Sequence, residues 1–448
     1  MTSADGAAMW DANVESRPME KLEAEASTLL TQQLARLSSH SPFYSKKFEN
    51  QGVHPSEVIS VRELPLLPLS DKAEVKAAQD AQPPFGPHLA VAAADVAKVF
   101  QTSGSTGSPT LLAVTAADLD GWRTIGARSY FAAGVRSTGS VLVTFGAGPF
   151  VAGHTHAMLE MMGARVVPVS PGDTERSLRA IELGIVDTFV GTPTFAMHLA
   201  NVLEQRGIDA TKMGLRHIVT GGEPGGGLPA IRSQIEKAFN GEVREVMGLG
   251  DISPSLFGEC EAQDGMHFSG QGFVWPEMID PDNEQTLAIE PGAFGEMVYT
   301  ALVREAMPLI RFRSGDLVNV TDASCSCGRT SFKIRCVGRT DDMFIVRGVN
   351  VYPSAISDVA TEFRPQLTGR ARAVVAADAG VSIDPPVKVE VEVPQGNPPS
   401  PVLAEQIESR IKSTLLFRAE VAFVSQSEFG DAGYKTRPIS KRPRRPAS

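Results

Sequence analysis

Residues 99–110 of the chain are VFQTSGSTGSPT, a segment in which glycines alternate with serines and threonines. Glycine allows consecutive backbone N–H groups to face one anion, and small hydroxyl side chains add hydrogen-bond donors without bulk. A loop of this composition can bind phosphate. The same pattern also fits an ordinary polar surface loop, so the motifs that accompany it must decide between the two interpretations.

Further short motifs follow in a fixed order. They are Thr220-Gly221-Gly222-Glu223-Pro224, Met247-Gly248-Leu249-Gly250-Asp251, Arg311-Phe312-Arg313-Ser314-Gly315-Asp316, Gly338-Arg339-Thr340-Asp341-Asp342 and Gly433-Tyr434-Lys435. Together with residues 99–110, this series resembles the core motifs of the adenylate-forming enzymes. RGVNVYP at 347–353, SPFY at 41–44 and LPLSDK at 67–72 resemble the phenylacetate-CoA ligase branch in particular. The resemblance extends from residue 18 to residue 440.

The fold class indicated by the residues themselves is α/β. Beyond residue 97, short apolar runs such as 141–143 alternate with amphipathic stretches at 175–184 and 229–239. We also predict strands at 297–299 and 309–312, the second closed by a turn at 313–316. The resemblance implies a large N-terminal domain, residues 1–340, with mixed β-sheets and flanking helices, and a small mobile α+β domain, residues 341–448. A strand at 387–393 and a helix at 401–415 fit the second domain.

Composition excludes several classes of protein. The net charge of −10 argues against general attraction to nucleic acid or anionic lipid, and no apolar run is long enough to form a membrane helix. The first ten residues lack the features of a secretory signal, so we expect a cytoplasmic protein with no nucleic-acid or membrane partner. A homodimer is compatible with the sequence. Four cysteines are too few for a disulfide scaffold in a chain of 448 residues.

The resemblance implies an ATP site. Its residues would hold the β- and γ-phosphates, the adenine and the ribose; they are Thr102, Ser103, Gly104, Ser105, Thr106, Gly107, Gly222, Glu223, Pro224, Met247, Gly248 and Asp316. Asp316 would accept hydrogen bonds from the ribose hydroxyls, which requires an ionised carboxylate. Relatives often carry a lysine after the last glycine of the loop, where this chain has Ser108. Asp251 would help to bind Mg²⁺, one methylene shorter than the usual glutamate.

Three further residues have expected roles in catalysis or in movement of the small domain. By resemblance, Arg339 would reach phosphate, and Asp341 would be the hinge about which the small domain turns between adenylation and thioester formation. Lys435 would bridge the carboxylate and the α-phosphate while negative charge develops. A lysine in a glycine-flanked segment is otherwise usually a solvated surface residue, so the resemblance alone carries this assignment.

The segment from residue 144 to residue 154 corresponds to the aromatic-acid pocket of the family. Phe145, Ala147, Phe150, His154 and Gly221 are the expected substrate-binding residues. Relatives commonly have a tyrosine near Ala147, and a methyl group there opens volume for a larger acid. His154 and the nearby His156 fit either a hydrogen-bonded structural role or recognition of a polar ring substituent.

Cys260, His267, Cys325 and Cys327 form a set that could bind metal. Three thiolates and one imidazole are typical of a closed, structural zinc site, and some relatives carry a similar arrangement. The alternative is four unrelated residues in a reduced chain, where free cysteines are often buried as small hydrophobic side chains. We expect structural Zn²⁺, with Cys336 left over in the core.

The function implied by the resemblance is ATP-dependent conversion of an aromatic or arylalkyl acid to an acyl-adenylate, followed by transfer to coenzyme A. The expected cofactors are ATP, Mg²⁺, coenzyme A and Zn²⁺. The alternative is a biosynthetic adenylating enzyme that passes the acyl group to an amine, a carrier protein or another nucleophile.

Overall fold

The computed structural model describes residues 8–102, 110–322, 324–340, 343–346, 349–376, 383–395, 399–429 and 439–442. The helices are α1 Ala12–Glu15, α2 Met19–His40, α3 Pro42–Gln51, α4 Lys72–Ala81, α5 Ala116–Ala132, α6 Thr155–Met161, α7 Thr174–Glu182, α8 Pro193–Gln205, α9 Pro229–Phe239, α10 Pro353–Glu362, α11 Pro401–Leu415 and α12 Gln426–Phe429. Within these ranges, every helix is too short or too polar to traverse a bilayer.

The strands are β1 Lys98–Thr102, β2 Thr110–Val114, β3 Ser140–Val143, β4 Arg165–Pro168, β5 Thr188–Gly191, β6 His217–Thr220, β7 Glu242–Leu249, β8 Ser253–Glu259, β9 Met266–Phe268, β10 Val274–Ile279, β11 Thr286–Leu287, β12 Phe294–Ala301, β13 Phe312–Val320, β14 Lys333–Arg339, β15 Phe344–Val346, β16 Val349–Val351, β17 Ala371–Ala376, β18 Val387–Glu392, β19 Ala419–Val424 and β20 Ile439–Arg442.

A twelve-stranded mixed sheet dominates the N-terminal part, in the order β11-β10-β12-β13-β14-β9-β8-β7-β6-β5-β3-β4. Strands β7, β6, β5, β3 and β4 are parallel. In the rest of this sheet, from the β7–β8 pair to the β10–β11 pair, neighbouring strands are antiparallel. Helices cover both faces of the parallel half. In β3, Val141 and Val143 therefore enter one core cluster while Leu142 enters another on the opposite face. The expected α/β class with mixed sheets and flanking helices is confirmed.

The predictions of local elements succeed where periodicity decides them and fail at one place. Helices α9 and α11 have the bounds expected from sequence. The strand predicted at 309–312 with a turn at 313–316 is wrong, because residues 313–316 lie inside β13. The ladder with β12 shifts register at this point, and Gly315 adopts φ 73°. A bulge built around a left-handed glycine thus bends the strand instead of ending it.

The C-terminal part contains a four-stranded sheet, β19-β18-β17-β20, with α10 and α11 contributing to its core. It contacts α9 of the N-terminal part. The Asp358 side chain lies near the backbone of Ala230 and Ile231, in the first turn of α9, and its buried Oδ1 has no hydrogen-bond partner among the described residues. Gln234 Nε2 donates to the Thr361 carbonyl at 2.6 Å. The α9 N-cap residue, Leu228, provides no side-chain cap, and Asp358 is an acidic side chain of the C-terminal part beside these open N–H groups.

We predict a pH-dependent contribution to stability from His88. Its ring stacks on Phe43, its Nε2 lies 2.9 Å from the Pro308 carbonyl oxygen, and burial lowers its pKa to about 4. Because this pKa is below the ordinary 6.5, the fold holds the neutral ring. The stabilisation is complete above pH 6.5 and is lost as the pH falls towards 4, by at most about 3 kcal/mol.

Chemical denaturation at pH 7.5 and pH 5 tests this in the wild type, in His88→Gln and in His40→Gln, a variant of an exposed histidine. His88→Gln should be destabilised at pH 7.5, with a smaller deficit at pH 5. If the loss of unfolding free energy in His88→Gln is the same at both pH values, the effect comes from lost packing alone.

Candidate active site

The motifs converge at the carboxyl ends of the parallel strands. The 144–154 segment follows β3, the 221–224 motif follows β6, and the 247–251 motif closes β7. Because parallel strands end at the same edge of a sheet, these segments are neighbours in space although they are far apart in sequence. This edge is the usual position of a ligand site in an open α/β sheet.

The residues on either side of the phosphate loop lie at the ends of two paired strands. Thr102, the last residue of β1, is opposite Thr110, the first of β2. Ser103, Gly104, Ser105, Thr106 and Gly107 lie outside the described residues. Among the residues that are described, the buried Thr102 Oγ1 has no hydrogen-bond partner. A Cβ built on Gly250 would lie 3.7 Å from Thr102 Cγ2, so the loop begins beside the 247–251 motif.

The motif after β6 lies close to the end of β7. A Cβ on Gly221 would lie 2.6 Å from the Val246 carbonyl oxygen, which explains the need for glycine there. Gly222 and Pro224 are exposed, and the Phe145 ring lies against Gly222. Glu223 Oε1 accepts a hydrogen bond of 3.0 Å from the Thr194 N–H, in the first turn of α8. These contacts bring Phe145 and Gly221 together.

The expected acid pocket contains residues in different environments. Phe145 is buried, whereas Ala147 and Phe150 are exposed. His154 is buried between Trp122 and Phe100, and its Nε2 lies 3.3 Å from the Leu119 carbonyl oxygen. Burial lowers the pKa of His154 to about 4. This geometry favours a neutral structural histidine.

His156 faces the backbone of the same segment. Its Nε2 lies 2.8 Å from the Phe145 carbonyl oxygen. The ring therefore supports the loop that carries Phe145.

Asp251 lies between two cationic side chains. Its Oδ2 is 3.2 Å from Lys72 Nζ, and Arg304 Nη1 donates to its backbone carbonyl. Met247 is half-buried and Gly248 is exposed on the preceding strand. We assigned no role to Lys72 or Arg304 from sequence. Lys72 stands in the LPLSDK segment noted above, whereas no local signal identifies Arg304.

Asp316 and Arg339 form an ion pair across β13 and β14. Arg339 Nη1 donates to Asp316 Oδ1 at 2.7 Å, and the same nitrogen lies 3.2 Å from the Ser314 carbonyl oxygen. Asp316 is buried, while about a third of the Arg339 side chain is exposed, at 36%. The structure thus brings together the residues expected to bind ribose and phosphate.

The cysteines and the histidine form a compact cluster beyond the end of β8, which is the opposite end of that strand from the 247–251 motif. Ligand atoms of Cys260, His267, Cys325 and Cys327 all lie within 4.8 Å of one another. The Cys260 and Cys325 sulfurs are 3.5 Å apart, and Cys327 Sγ is 3.4 Å from His267 Nε2. His267 Nδ1 lies 3.2 Å from the Ser331 carbonyl oxygen, which fixes the tautomer that leaves Nε2 available to a metal.

Asp341 and Lys435 lie outside the described residues. The described residues on both sides of Lys435 make defined contacts. Before it, the Phe429 ring is flanked by Arg370 and Arg372, each 4.5 Å from the ring centroid. After it, β20 pairs in parallel with β17.

Comparison with known proteins agrees with this geometry. Residues 22–300 match the family model described as AMP-binding enzyme. A phenylacetate-coenzyme A ligase of Thermus thermophilus is 35% identical over 390 residues, which are 86% of this chain and 85% of the relative. A crystal structure of 2-hydroxyisobutyryl-CoA ligase in the postadenylation state, in complex with 2-HIB-AMP, superposes with a TM-score of 0.89 at 26% identity and covers 99% of this chain and 94% of its own.

The same ligase in the thioesterification state, with 2-HIB-AMP and CoA, superposes with a TM-score of 0.72 at 27% identity, again covering 99% and 94%. Sequence, fold and the arrangement of motifs therefore agree. The chain belongs to the AMP-binding enzyme family, in the branch of the phenylacetate-CoA ligases, and is an AMP-forming acid-CoA ligase that activates its acid as an acyl-adenylate.

Proposed function

We propose that the acid is aromatic or arylalkyl and that the site residues act as follows. The observation that carries the proposal is the convergence of the Phe145, Gly221, Asp251 and Thr102 segments at one edge of the sheet. Relatives named phenylacetate-coenzyme A ligase, 32–35% identical, support an aromatic acid over the small hydroxy acid of the 26% identical ligase. Phe145 would provide the apolar wall, and the exposed Ala147 leaves room beside it.

Asp316 and Arg339 would exchange partners when ATP binds. In the present structure, each neutralises the other at 2.7 Å. An ionised Asp316 can accept hydrogen bonds from both ribose hydroxyls, while Arg339, being partly exposed, can turn to phosphate. The pair would therefore keep both charged groups at the proposed nucleotide site before ATP binds, which reduces the reorganisation needed on binding.

Asp251 fits a magnesium ligand, because its carboxylate is a hard oxygen donor and the preceding Gly250 lies beside Thr102, at the start of the phosphate loop. Mg²⁺, when bound, would neutralise charge on the phosphates. The thiol and imidazole cluster fits zinc, because its donor set is closed, mostly buried and has an oriented histidine. Zinc there would join the end of β8 to the turn between β13 and β14, away from the substrate.

We further propose a domain boundary at residues 340/341, with Asp341 as the hinge and Lys435 as the lysine of the adenylation face. The higher TM-score with the postadenylation state, 0.89 against 0.72, supports an arrangement of the C-terminal part suited to adenylation. The contacts of Phe429 with Arg370 and Arg372 and the β17–β20 pairing fix the described residues before and after Lys435.

Pyrophosphate exchange tests the function. In the presence of ATP, a suitable aromatic acid should promote exchange of labelled pyrophosphate into ATP, and addition of coenzyme A should convert the intermediate to a thioester with release of AMP. A panel of phenylacetate, substituted and bicyclic acids would identify the preferred size. Absence of exchange with every aromatic acid, alongside exchange with an aliphatic one, would reject the proposed substrate class.

Removal of the metal ligands tests the zinc site. Protein purified without chelator should contain close to one zinc per chain, and Cys325→Ser/Cys327→Ser should lose the metal and melt at a lower temperature, because two of the four ligands are gone. Cys336→Ala, which removes a cysteine outside the cluster, should keep its zinc. Equal metal content in the double variant would exclude the site.

Lys435→Ala tests the proposed role of this lysine. Adenylation should fall on the order of a hundredfold, because a charge aimed at the transition state is removed. Conversion of a chemically supplied acyl-adenylate to the thioester should be nearly unchanged, and Lys412→Ala, at an exposed position on α11, should affect neither step. Equal damage to both half-reactions would contradict the two-state domain model.

A further inference from the structure

The turn that carries two of the cysteines of the cluster is covered by the N-terminal segment, residues 8–17. In this turn, residues 325–328, the Gly328 N–H donates to the Cys325 carbonyl at 3.1 Å, and Gly328 adopts φ 78°. A Cβ built on Gly328 would lie 3.2 Å from Met9 Cε. The N-terminal segment is therefore in contact with the proposed metal turn itself.

The N-terminal segment is attached at both of its sides. The Thr330 N–H donates to the Glu15 carbonyl at 3.0 Å, and Thr330 Oγ1 donates to the Arg17 carbonyl at 2.6 Å. On the other side, Asp11 Oδ2 lies 3.1 Å from Arg128 Nη2 of helix α5. The segment thus connects the residues that follow the metal turn to a helix that packs on the large sheet.

A buried ion pair lies where the segment meets the turn. Arg329 Nε donates to Glu15 Oε2 at 2.7 Å, and only 4% and 3% of these two side chains are exposed. The Ala8 carbonyl and the Asp11 N–H complete the pair, by bonding Arg329 Nη2 at 3.2 Å and Glu15 Oε1 at 2.8 Å. The Arg329 guanidinium also lies near the Cys327 sulfur. Because desolvation makes a buried ion pair a poor source of net stability, this position suggests a role towards the thiolate.

The charge of the cluster provides such a role. A zinc ion bound by three thiolates and a neutral imidazole carries one excess negative charge, which is costly to bury without a cation nearby. Lys333 is a second buried cation close to the turn, but its ammonium donates to Asp264 Oδ2 at 2.6 Å and to the Ser324 carbonyl at 3.1 Å. Lys333 therefore fixes the backbone before Cys325, and Arg329 is the cation beside a sulfur.

We propose that Arg329 offsets the excess negative charge of the zinc site at Cys327, and that Glu15 positions the guanidinium for this task. The inference rests on the proposed zinc site. Arg329 does not bind the metal and acts only through Cys327, while the N-terminal segment keeps its guanidinium away from water. Loss of the guanidinium should accelerate loss of zinc, because residues that support metal ligands commonly change metal affinity by about ten- to a hundredfold.

Zinc release from the full-length, metal-loaded protein into an excess of pyridylazoresorcinol tests the proposal without any dependence on catalysis. Arg329→Met should release zinc about ten- to a hundredfold faster than the wild type. Arg329→Lys, which retains the positive charge, should release it more slowly than Arg329→Met. Arg17→Met removes an arginine of the same N-terminal segment, whose partner Glu25 is largely exposed, and should release zinc as the wild type does.

A double variant separates the effect on the metal from the effect on Glu15. Arg329→Met alone leaves a buried carboxylate without its partner, which could loosen the turn by itself. Glu15→Gln/Arg329→Met removes both charges and should still release zinc as fast as Arg329→Met. If the double variant releases zinc at the wild-type rate, Arg329 only neutralises Glu15 and the proposal is wrong.

Substitution of cobalt for zinc gives a second, spectroscopic measurement. In Arg329→Met, the thiolate-to-cobalt charge-transfer band should move to longer wavelength, because a thiolate without a neighbouring cation donates electron density more readily. An unchanged band would show that the guanidinium does not act on Cys327. If the wild type contains no zinc and takes up no cobalt, the zinc site and this inference both fail, whereas a metal-loaded wild type with unaffected variants rejects the role of Arg329 alone.

Discussion

Strand β7 is the constraint on which the site depends, because it pairs in parallel with β6 and in antiparallel fashion with β8. This strand thereby joins the two halves of the sheet. In the parallel half the loops lie together at one edge, whereas the antiparallel half is made of hairpins. The parallel half supplies the Phe145 and Gly221 segments, and the antiparallel half supplies the Asp316 and Arg339 pair. A change in the register of β7 would displace both groups relative to one another.

Around this edge, two acidic side chains are each paired with a basic one. Asp316 is held by Arg339, and Asp251 is held by Lys72. In each pair the acid is the more buried partner, and the base is the more exposed. A buried carboxylate without a partner would be costly, whereas an exposed cation can change partners at little expense. The arrangement therefore leaves neither of these two buried carboxylates without a partner and keeps both cations near the surface.

Sequence alone could predict the elements governed by local periodicity, such as α9 and α11, whose bounds agree with the structure. It failed at 313–316, because whether Gly315 ends a strand or bends it depends on the register with β12. The motifs that contain the site residues can be predicted from sequence, but the contacts between those residues cannot. Lys72 and Asp251 are 179 residues apart, and their contact depends on how α4 docks on β2. The cysteine and histidine set was identified by its chemistry, while its compactness depends on the β9–β14 pairing.

The position of Asp358 beside the first turn of α9 also affects how strongly the C-terminal part is held. Burial raises the pKa of Asp358, and its Oδ1 has no hydrogen-bond partner among the described residues, so the carboxylate has lost hydration that its surroundings do not fully replace. On separation, water would solvate both the carboxylate and the helix end. The carboxylate at this contact therefore adds little net stability to the docking of the C-terminal part on α9.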